Sequence, residues 1–171
     1  ITTRLICEIK PSTISKERGL KIAANVVGLI KELKATEYVM YISFSYDILK
    51  KIAGLDPKAS TQYLYGNKPP EQLKADGISG ADYHFSVFKN KPEWIASAKQ
   101  LGITLNAWTV NVADDLDWLI ANDFNFITTN EPELLFERIK KSPAASGWKL
   151  IWSDEFNYKG LPDSSKWNYD V

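Results

Sequence analysis

The feature that most constrains the fold of this chain is a regular alternation of short β-rich runs with helical patterns. Six strand–helix units follow one another between Leu5 and about Lys141, at a spacing of roughly twenty residues after a longer first unit. Strands that alternate with helices in this way pair in parallel, and each helix forms the crossover to the next strand. The alternation therefore predicts an α/β fold with a parallel sheet.

Two arrangements of such a sheet compete at this point. One is an open, doubly wound sheet, and the other is a closed barrel of eight strands. No glycine-rich phosphate loop follows any of the predicted strands, which weakens a nucleotide-binding open sheet. Six units are two fewer than a barrel needs, so the units alone leave both arrangements open.

Several residues are typical of helix ends. Ser15 is placed to cap the first helix, and Gly54 is placed to end the second. Asn111 and Asn130 each precede a helical pattern late in the chain and are predicted to cap it. These residues set the expected bounds of the helices.

Composition excludes several classes of protein. Apolar residues make up 44% of the chain and charged residues 25%, with a formal net charge of zero, which is typical of a globular domain and not of a general nucleic-acid binder. No run of about 18 apolar residues is present, so no transmembrane helix is expected. The single cysteine, Cys7, permits no internal disulfide and is predicted to pack as a small apolar residue.

The pattern changes after residue 141. Residues 142–147 are rich in Ser, Pro, Ala and Gly and are predicted to be a linker. Residues 148–171 begin with an alternating, strand-like stretch and are too few to fold alone. Asp154 and Glu155 are adjacent there, so on a strand they would point to opposite faces and act structurally.

Polar residues at the carboxyl ends of the predicted strands are the candidates for chemistry, because barrels of this type place their sites there. Glu8 and Lys10 are two apart and lie on the same side of the first strand. A carboxylate there can bind a hard divalent cation, and an ammonium group beside it can hold a phosphate oxygen. A plain ion pair at a strand end explains the same spacing equally well.

The other strand ends give weaker signals. Ser43 is expected to start a helix, and Phe44 to pack. His84, the single histidine, is expected to be packed or hydrogen-bonded, because no acidic partner is fixed near it. Trp108 is placed either to wall a substrate pocket or to fill the core.

Four short motifs, taken together and in order, resemble the glycerophosphodiester phosphodiesterase family. They are Glu8-Ile9-Lys10, Ser43-Phe44 with Leu49 downstream, the stretch from Gly102 to Asn111 that contains Trp108-Thr109-Val110, and Phe126 to Pro132. The resemblance implies an incomplete TIM barrel over residues 1–141, containing strands three to eight, with a short β-rich tail after it. It also implies hydrolysis of glycerophosphodiesters to glycerol 3-phosphate and an alcohol.

The same resemblance assigns roles to four residues. Glu8 would be a ligand of a divalent cation, Mg²⁺ or Ca²⁺. Lys10 would lie near the phosphate, and Phe44 and Trp108 would line the glycerol side of the pocket. A cation and a lysine would neutralise the charge that builds up on the phosphoryl oxygens.

The chain also departs from the family. Asn130 stands where the family usually has Asp. The resemblance places the two catalytic histidines and the other acidic metal ligands in the first two strand units, which this chain does not contain, and His84 matches neither histidine. No catalytic residue is therefore assigned, and the chain alone is expected to be inactive and to expose open sheet edges that favour association.

The tail has a resemblance of its own. Trp152-Ser153-Asp154-Glu155-Phe156 and the stretch from Leu161 to Trp167 resemble the start of a laminarinase-like family-16 glycoside hydrolase. Such a fusion implies a secreted or periplasmic protein. Two further functions stay open: a non-catalytic phosphate- or glycan-binding scaffold joined to a glycosidase, and a Schiff-base aldolase that uses Lys10.

Overall fold

The structure is a computed structural model and describes residues 3–142. The strands in chain order are β1 (Leu5–Glu8), β2 (Val39–Ser43), β3 (Ser60–Tyr63), β4 (Gly80–His84), β5 (Thr104–Trp108) and β6 (Phe126–Ile127). The helices are α1 (Lys16–Glu32), α2 (Tyr46–Leu55), α3 (Pro70–Ala75), α4 (Phe85–Asn90), α5 (Glu93–Leu101), α6 (Ala113–Ala121) and α7 (Pro132–Lys141). A 3-10 turn, Thr36–Tyr38, precedes β2.

The six strands form one parallel sheet in the order β1-β2-β3-β4-β5-β6. A doubly wound sheet would reverse its strand order at a switch point, and the described sheet contains no reversal. It curls into a half-barrel, as an incomplete TIM barrel does. The predicted α/β fold is thereby confirmed, and of the two arrangements the structure agrees with the barrel type; the strand numbers three to eight remain a prediction.

Alternate residues of each strand face the two sides of this half-barrel. The convex side packs against the helices and carries large apolar side chains, among them Tyr41, Tyr63, Tyr83 and Leu105, in one core cluster. The concave side of the central strands instead carries the buried polar residues Gln62, Asp82 and Asn106. The polar character of the inner face sets the chemistry of the site described below.

Helix ends agree with the sequence where the signal is local. Ser15 caps α1 by accepting a hydrogen bond from the backbone N–H of Arg18. Gly102 follows α5 in the left-handed conformation, with φ 68°, which glycine adopts without strain. The prediction for Gly54 was wrong: α2 continues to Leu55 and ends at Asp56, whose N–H bonds to the carbonyl of Ile52.

The two predicted asparagine caps were also wrong. Helix α6 begins after Val112 and α7 after Glu131, and neither residue makes a side-chain cap. The side chain of Asn111 instead accepts hydrogen bonds from the backbone N–H of Asn130 over 2.9 Å and from the hydroxyl of Thr129 over 3.3 Å. It joins the loop after β5 to the loop after β6, because a long-range partner competes with the local cap.

Phe85 belongs to a helix that the sequence did not predict. β4 ends at His84, and Phe85 starts α4 directly after it. Nδ1 of His84 accepts a hydrogen bond from the backbone N–H of Ser86, which is the role of an N-cap. This short helix turns the chain away from the sheet immediately after β4.

Other expectations concern the rest of the chain. Between residues 3 and 142, no helix combines the length and the apolar character that a bilayer crossing requires. Cys7 is a half-buried free thiol whose pKa is raised by burial. Residues 143–147 of the predicted linker and the whole tail, 148–171, lie outside the described residues, so the domain boundaries remain a prediction.

Candidate active site

An open cleft of about 290 Å³ lies at the carboxyl ends of the strands. Its lining residues come from the six described strands or the loops directly after them: Glu8, Ile42, Phe44, Leu64, Asp82, Trp108, Thr109 and Thr128. Three of the four predicted site residues, Glu8, Phe44 and Trp108, therefore lie around one cleft. Lys10, the fourth, is not among the lining residues.

Glu8 is the last residue of β1 and is exposed at the rim of the cleft. It pairs in register with Ile42 of β2, another lining residue. β1 is an edge strand of the described sheet, and the side chain of Glu8 borders the cleft. A carboxylate in this position can coordinate a cation from the cleft side.

Lys10 follows β1 and is exposed. The chain just before it is fixed by Ser43, whose buried hydroxyl donates to the carbonyl of Ile9 over 2.6 Å and accepts from the N–H of Ser45 over 3.0 Å. Ser43 thus connects the end of β1 to the start of α2. The expectation that Ser43 starts a helix was wrong, because Ser43 is the last residue of β2 and Ser45 caps α2. The hydroxyl of Ser43 instead holds the loop that carries Lys10 against the loop that carries Phe44.

Phe44 and Trp108 form one wall of the cleft. Their rings meet edge to face, with centroids 5.8 Å apart and planes at 78°. Phe44 is 41% exposed, so its ring is available to a ligand. Two aromatic faces at a cleft suit the C–H groups of a small polyol or alcohol.

His84 stands beside this wall. Its ring meets Trp108 edge to face at 5.5 Å, and its Nδ1 lies 2.7 Å from the hydroxyl of Ser86. Since Nδ1 accepts from the N–H of Ser86, the neutral ring carries its proton on Nε2. Within residues 3–142 no carboxylate is hydrogen-bonded to this ring. His84 is exposed, so of the two expectations, packed or hydrogen-bonded, the structure agrees with the second.

Asp82 is the site residue that the sequence did not single out. It lines the cleft but is only 3% exposed, and its Oδ1 has no hydrogen-bond partner among the described residues. Burial raises the pKa of this carboxyl from 3.8 to about 7, because desolvation disfavours the charged form. The available signal was an acidic residue inside a short strand, a position where Asp is depleted.

A buried amide pair lies behind Asp82 on the concave face. The Nδ2 of Asn106 donates to the Oε1 of Gln62 over 3.2 Å, which joins β3 to β5 across β4. Gly80 of β4 allows this, because a Cβ at that position would lie 2.5 Å from the Cγ of Gln62. The Nε2 of Gln62 and the Oδ1 of Asn106 have no partners among the described residues, so the inner face is polar and incompletely hydrogen-bonded.

The described residues do not form a complete metal site. Between residues 3 and 142, no group of three or more His, Cys, Asp or Glu side chains is close enough to hold an ion. Glu8 could supply one carboxylate ligand, which alone does not fix a divalent cation. No step of a reaction is derived through a metal for that reason.

Comparison with known proteins gives a consistent picture for most of the chain. Residues 3–134 match the glycerophosphoryl diester phosphodiesterase family. A glycerophosphodiester phosphodiesterase of Caldanaerobacter subterraneus is 27% identical over 124 residues, which are 70% of this chain and 50% of that protein. The family match over residues 3–134 includes the six described strands.

Solved structures show the same fold. A glycerophosphodiester phosphodiesterase from Parabacteroides distasonis superposes with a TM-score of 0.75 at 37% identity, over 78% of this chain and 56% of that one. An Oleispira antarctica phosphodiesterase in complex with the product sn-glycerol-3-phosphate superposes with a TM-score of 0.58 at 19% identity, over 71% and 50%. At 19% identity, that likeness concerns the fold alone.

The chain spans about half the length of these relatives: 50% of the Caldanaerobacter protein and 56% of the Parabacteroides structure. A further match is short. A β-glucanase of Rhodothermus marinus is 61% identical over 31 residues, which are 18% of this chain and 11% of that protein.

Proposed function

Because the chain belongs to the glycerophosphoryl diester phosphodiesterase family, we propose that it is part of an enzyme that hydrolyses glycerophosphodiesters to glycerol 3-phosphate and an alcohol. The observation that carries the proposal is the cleft, which brings Glu8, Phe44 and Trp108 together at the carboxyl ends of the strands. Parabacteroides and Caldanaerobacter relatives named for this activity share the fold or the sequence. The activity of the whole protein is inferred from them.

The residues of this chain would share the work of binding. The aromatic wall of Phe44 and Trp108 would receive the apolar C–H faces of the glycerol. Lys10, held near the rim by the Ser43 hydrogen bonds, would draw a phosphate oxygen by its charge. Glu8 would offer one ligand to a divalent cation, Mg²⁺ or Ca²⁺, whose other ligands would lie outside the described residues.

The four binding residues, Glu8, Lys10, Phe44 and Trp108, do not provide the proton transfer that hydrolysis requires. Cleavage of a phosphodiester needs a group to activate water and a group to protonate the leaving alcohol. His84 is hydrogen-bonded to Ser86 and lacks a carboxylate partner within residues 3–142. We therefore infer that the 171-residue chain binds a product such as glycerol 3-phosphate without turning over a diester.

The experiment compares the chain with a longer protein that also contains the first two strand units. Release of choline from glycerophosphocholine is measured with Mg²⁺ or Ca²⁺. The longer protein is expected to turn over, and its Glu8→Gln variant to lose at least about a hundredfold in kcat, whereas Glu32→Gln, on the exposed end of α1, stays unchanged. Turnover by the 171-residue chain at enzymatic rates would show that proton transfer was assigned to the wrong part of the protein.

A second candidate is a non-catalytic scaffold that binds a phosphate or glycan. The longer protein separates the two candidates, because a scaffold would bind glycerol 3-phosphate and release no choline even with the first two units present.

We also propose that residues 148–171 begin a family-16 glycoside hydrolase domain and that the protein is secreted or periplasmic. The motifs of the tail and the 31-residue match to a β-glucanase support the first part, and the second follows from the kind of substrate such a domain acts on. Mass spectrometry of culture medium, periplasm and cytoplasm would test the location, and recovery only from the cytoplasm would contradict it.

A further inference from the structure

Asp82 combines three properties that rarely occur together. Its side chain is 3% exposed, it borders the cleft, and its Oδ1 has no hydrogen-bond partner among the described residues. A buried carboxyl without a partner destabilises a fold. An apolar side chain of similar size would fill the same place on the inner face and would stabilise the sheet more.

The surroundings keep this carboxyl free. Asn106 lies opposite Asp82 in the register of β4 and β5, yet its amide donates to Gln62 and not to Asp82. Gly80 leaves the space through which Gln62 reaches Asn106. The amide groups of Asn106 and Gln62 therefore bond to each other. The carboxyl of Asp82 remains available to accept a hydrogen bond from a ligand in the cleft.

The chemistry of the group decides what can occupy that position. An ionised carboxylate only accepts hydrogen bonds, and it repels a phosphate group. A hydroxyl group can donate to it, and the Phe44–Trp108 wall beside it suits the C–H faces of a small polyol. The floor of the cleft is thus matched to the hydroxyl end of a glycerol phosphate, with the phosphate end turned toward the rim.

We propose that Asp82 is a binding residue that accepts hydrogen bonds from the hydroxyl groups of the glycerol moiety at the floor of the cleft. The identity of the ligand rests on the proposed function, whereas the recognition of a polyol rests on Asp82 and the aromatic wall. The desolvation that raises the pKa of this carboxyl to about 7 is relieved when hydroxyl groups bond to it.

The test is saturation-transfer NMR on the 171-residue chain, with glycerol and sn-glycerol 3-phosphate as separate probes, and ³¹P line broadening with inorganic phosphate. Asp82→Leu is expected to lower the affinity for both glycerol compounds by at least about tenfold. The affinity for inorganic phosphate should be unchanged. Asp82→Asn keeps the shape and one acceptor oxygen, so its affinity for glycerol should fall between those of Asp82→Leu and the unsubstituted chain.

Thr61→Val is the matched control, because Thr61 is also a buried polar residue of the sheet, but it does not line the cleft and its hydroxyl bonds to Ser79. Its affinity for glycerol should stay within about twofold. Unchanged glycerol binding in Asp82→Leu or Asp82→Asn would overturn the proposal, and so would an equal loss in Thr61→Val. Circular dichroism of each variant shows that it is folded.

The probes also separate this inference from the proposed function. Glycerol binding that depends on Asp82, in a chain that binds no phosphate, would support the inference and count against a phosphodiester substrate. Phosphate binding without any glycerol binding would overturn the inference. The proposed hydrolysis would then still be tested by release of choline from glycerophosphocholine.

Discussion

The indole Nε1 of Trp108 donates a hydrogen bond to the backbone carbonyl oxygen of Asp82 over 2.8 Å. The bond crosses from β5 to β4 and ties the aromatic wall of the cleft to its acidic floor. Trp108 is half-buried, so the bond fixes the plane of a ring that solvent would otherwise leave free to turn. The hydrogen bond therefore fixes the wall together with the edge-to-face contacts of the Trp108 ring with Phe44 and His84.

Replacing Trp108 with Phe tests this dependence. The smaller ring keeps an aromatic surface but has no N–H, so the free energy of unfolding is expected to fall by about 1 kcal/mol and the affinity for glycerol 3-phosphate to fall several-fold. Urea denaturation and NMR titration measure the two effects. Trp94→Phe is the control: Trp94 does not line the cleft, and its ring packs against Tyr83, so equal losses in both variants would contradict the assignment.

Gly80→Ala should destabilise the sheet. The added Cβ would lie 2.5 Å from the Cγ of Gln62, which forces that side chain off Asn106 and costs roughly 1–3 kcal/mol. Gly28→Ala is the control, since nothing lies within 4 Å of a Cβ there and alanine favours a helix by about 1 kcal/mol.

The Gly80 prediction can be checked further with Gln62→Ala. Removing the side chain that meets the new Cβ should make Gly80→Ala much less costly in the double variant. Denaturation of the four chains gives the coupling between the two sites. A strictly additive result would mean that Gly80 is needed for another reason.

The stability of the protein should depend on pH through Asp82. Its pKa is raised from 3.8 to about 7 by burial, so the folded chain binds a proton that the unfolded chain loses between those values. Stability that Asp82 contributes is complete below pH 3.8 and is lost as pH rises toward 7. The rise in the pKa of Asp82 corresponds to a change of at most about 4 kcal/mol in the free energy of unfolding.

Asp82→Asn removes this titration. Relative to the unsubstituted chain, the variant should gain stability steadily from pH 4 to pH 7 and no further above it. Urea denaturation of both chains at several pH values measures the difference, from which the other titrating groups largely cancel. A difference that stays constant with pH would show that the carboxyl is not desolvated.

Self-association is expected through the open edge of β1 in the described sheet and through exposed apolar side chains. Leu5 and Ile6 of β1 are 57% and 47% exposed, and Leu29 of α1 is 53% exposed. Leu29→Glu should weaken association, which sedimentation velocity measures over a range of protein concentrations. Asn25→Glu adds the same charge to an exposed site of the same helix, so equal effects in both variants would indicate that charge alone is responsible.

The parts of the fold that depend on local rules could be predicted. Alternation of strands and helices predicted the parallel sheet, and Ser15 caps α1 as expected. The prediction that Asn111 caps a helix failed because its side chain bonds to Asn130, 19 residues away. A capping rule considers only neighbours in the chain, and this bond forms only after β5 and β6 have paired.

The candidate site divides in the same way. Glu8, Phe44 and Trp108 follow strand ends and carry the family motifs, so the sequence could place them at one edge of the sheet. Asp82 lies inside a strand and has no motif. Its importance comes from its burial and from the amide groups of Asn106 and Gln62, which bond to each other and not to Asp82. Both properties arise from the curvature of the sheet.

The order of the strands has a consequence for how the fold is reached. Each strand from β1 to β5 pairs with the strand that follows it in the chain, so within residues 3–142 no pairing waits for a distant segment. The loops closed between neighbouring units are short, and low contact order favours rapid folding. During synthesis each strand can therefore meet its partner as soon as the next unit leaves the ribosome, and the sheet lengthens from its amino-terminal side.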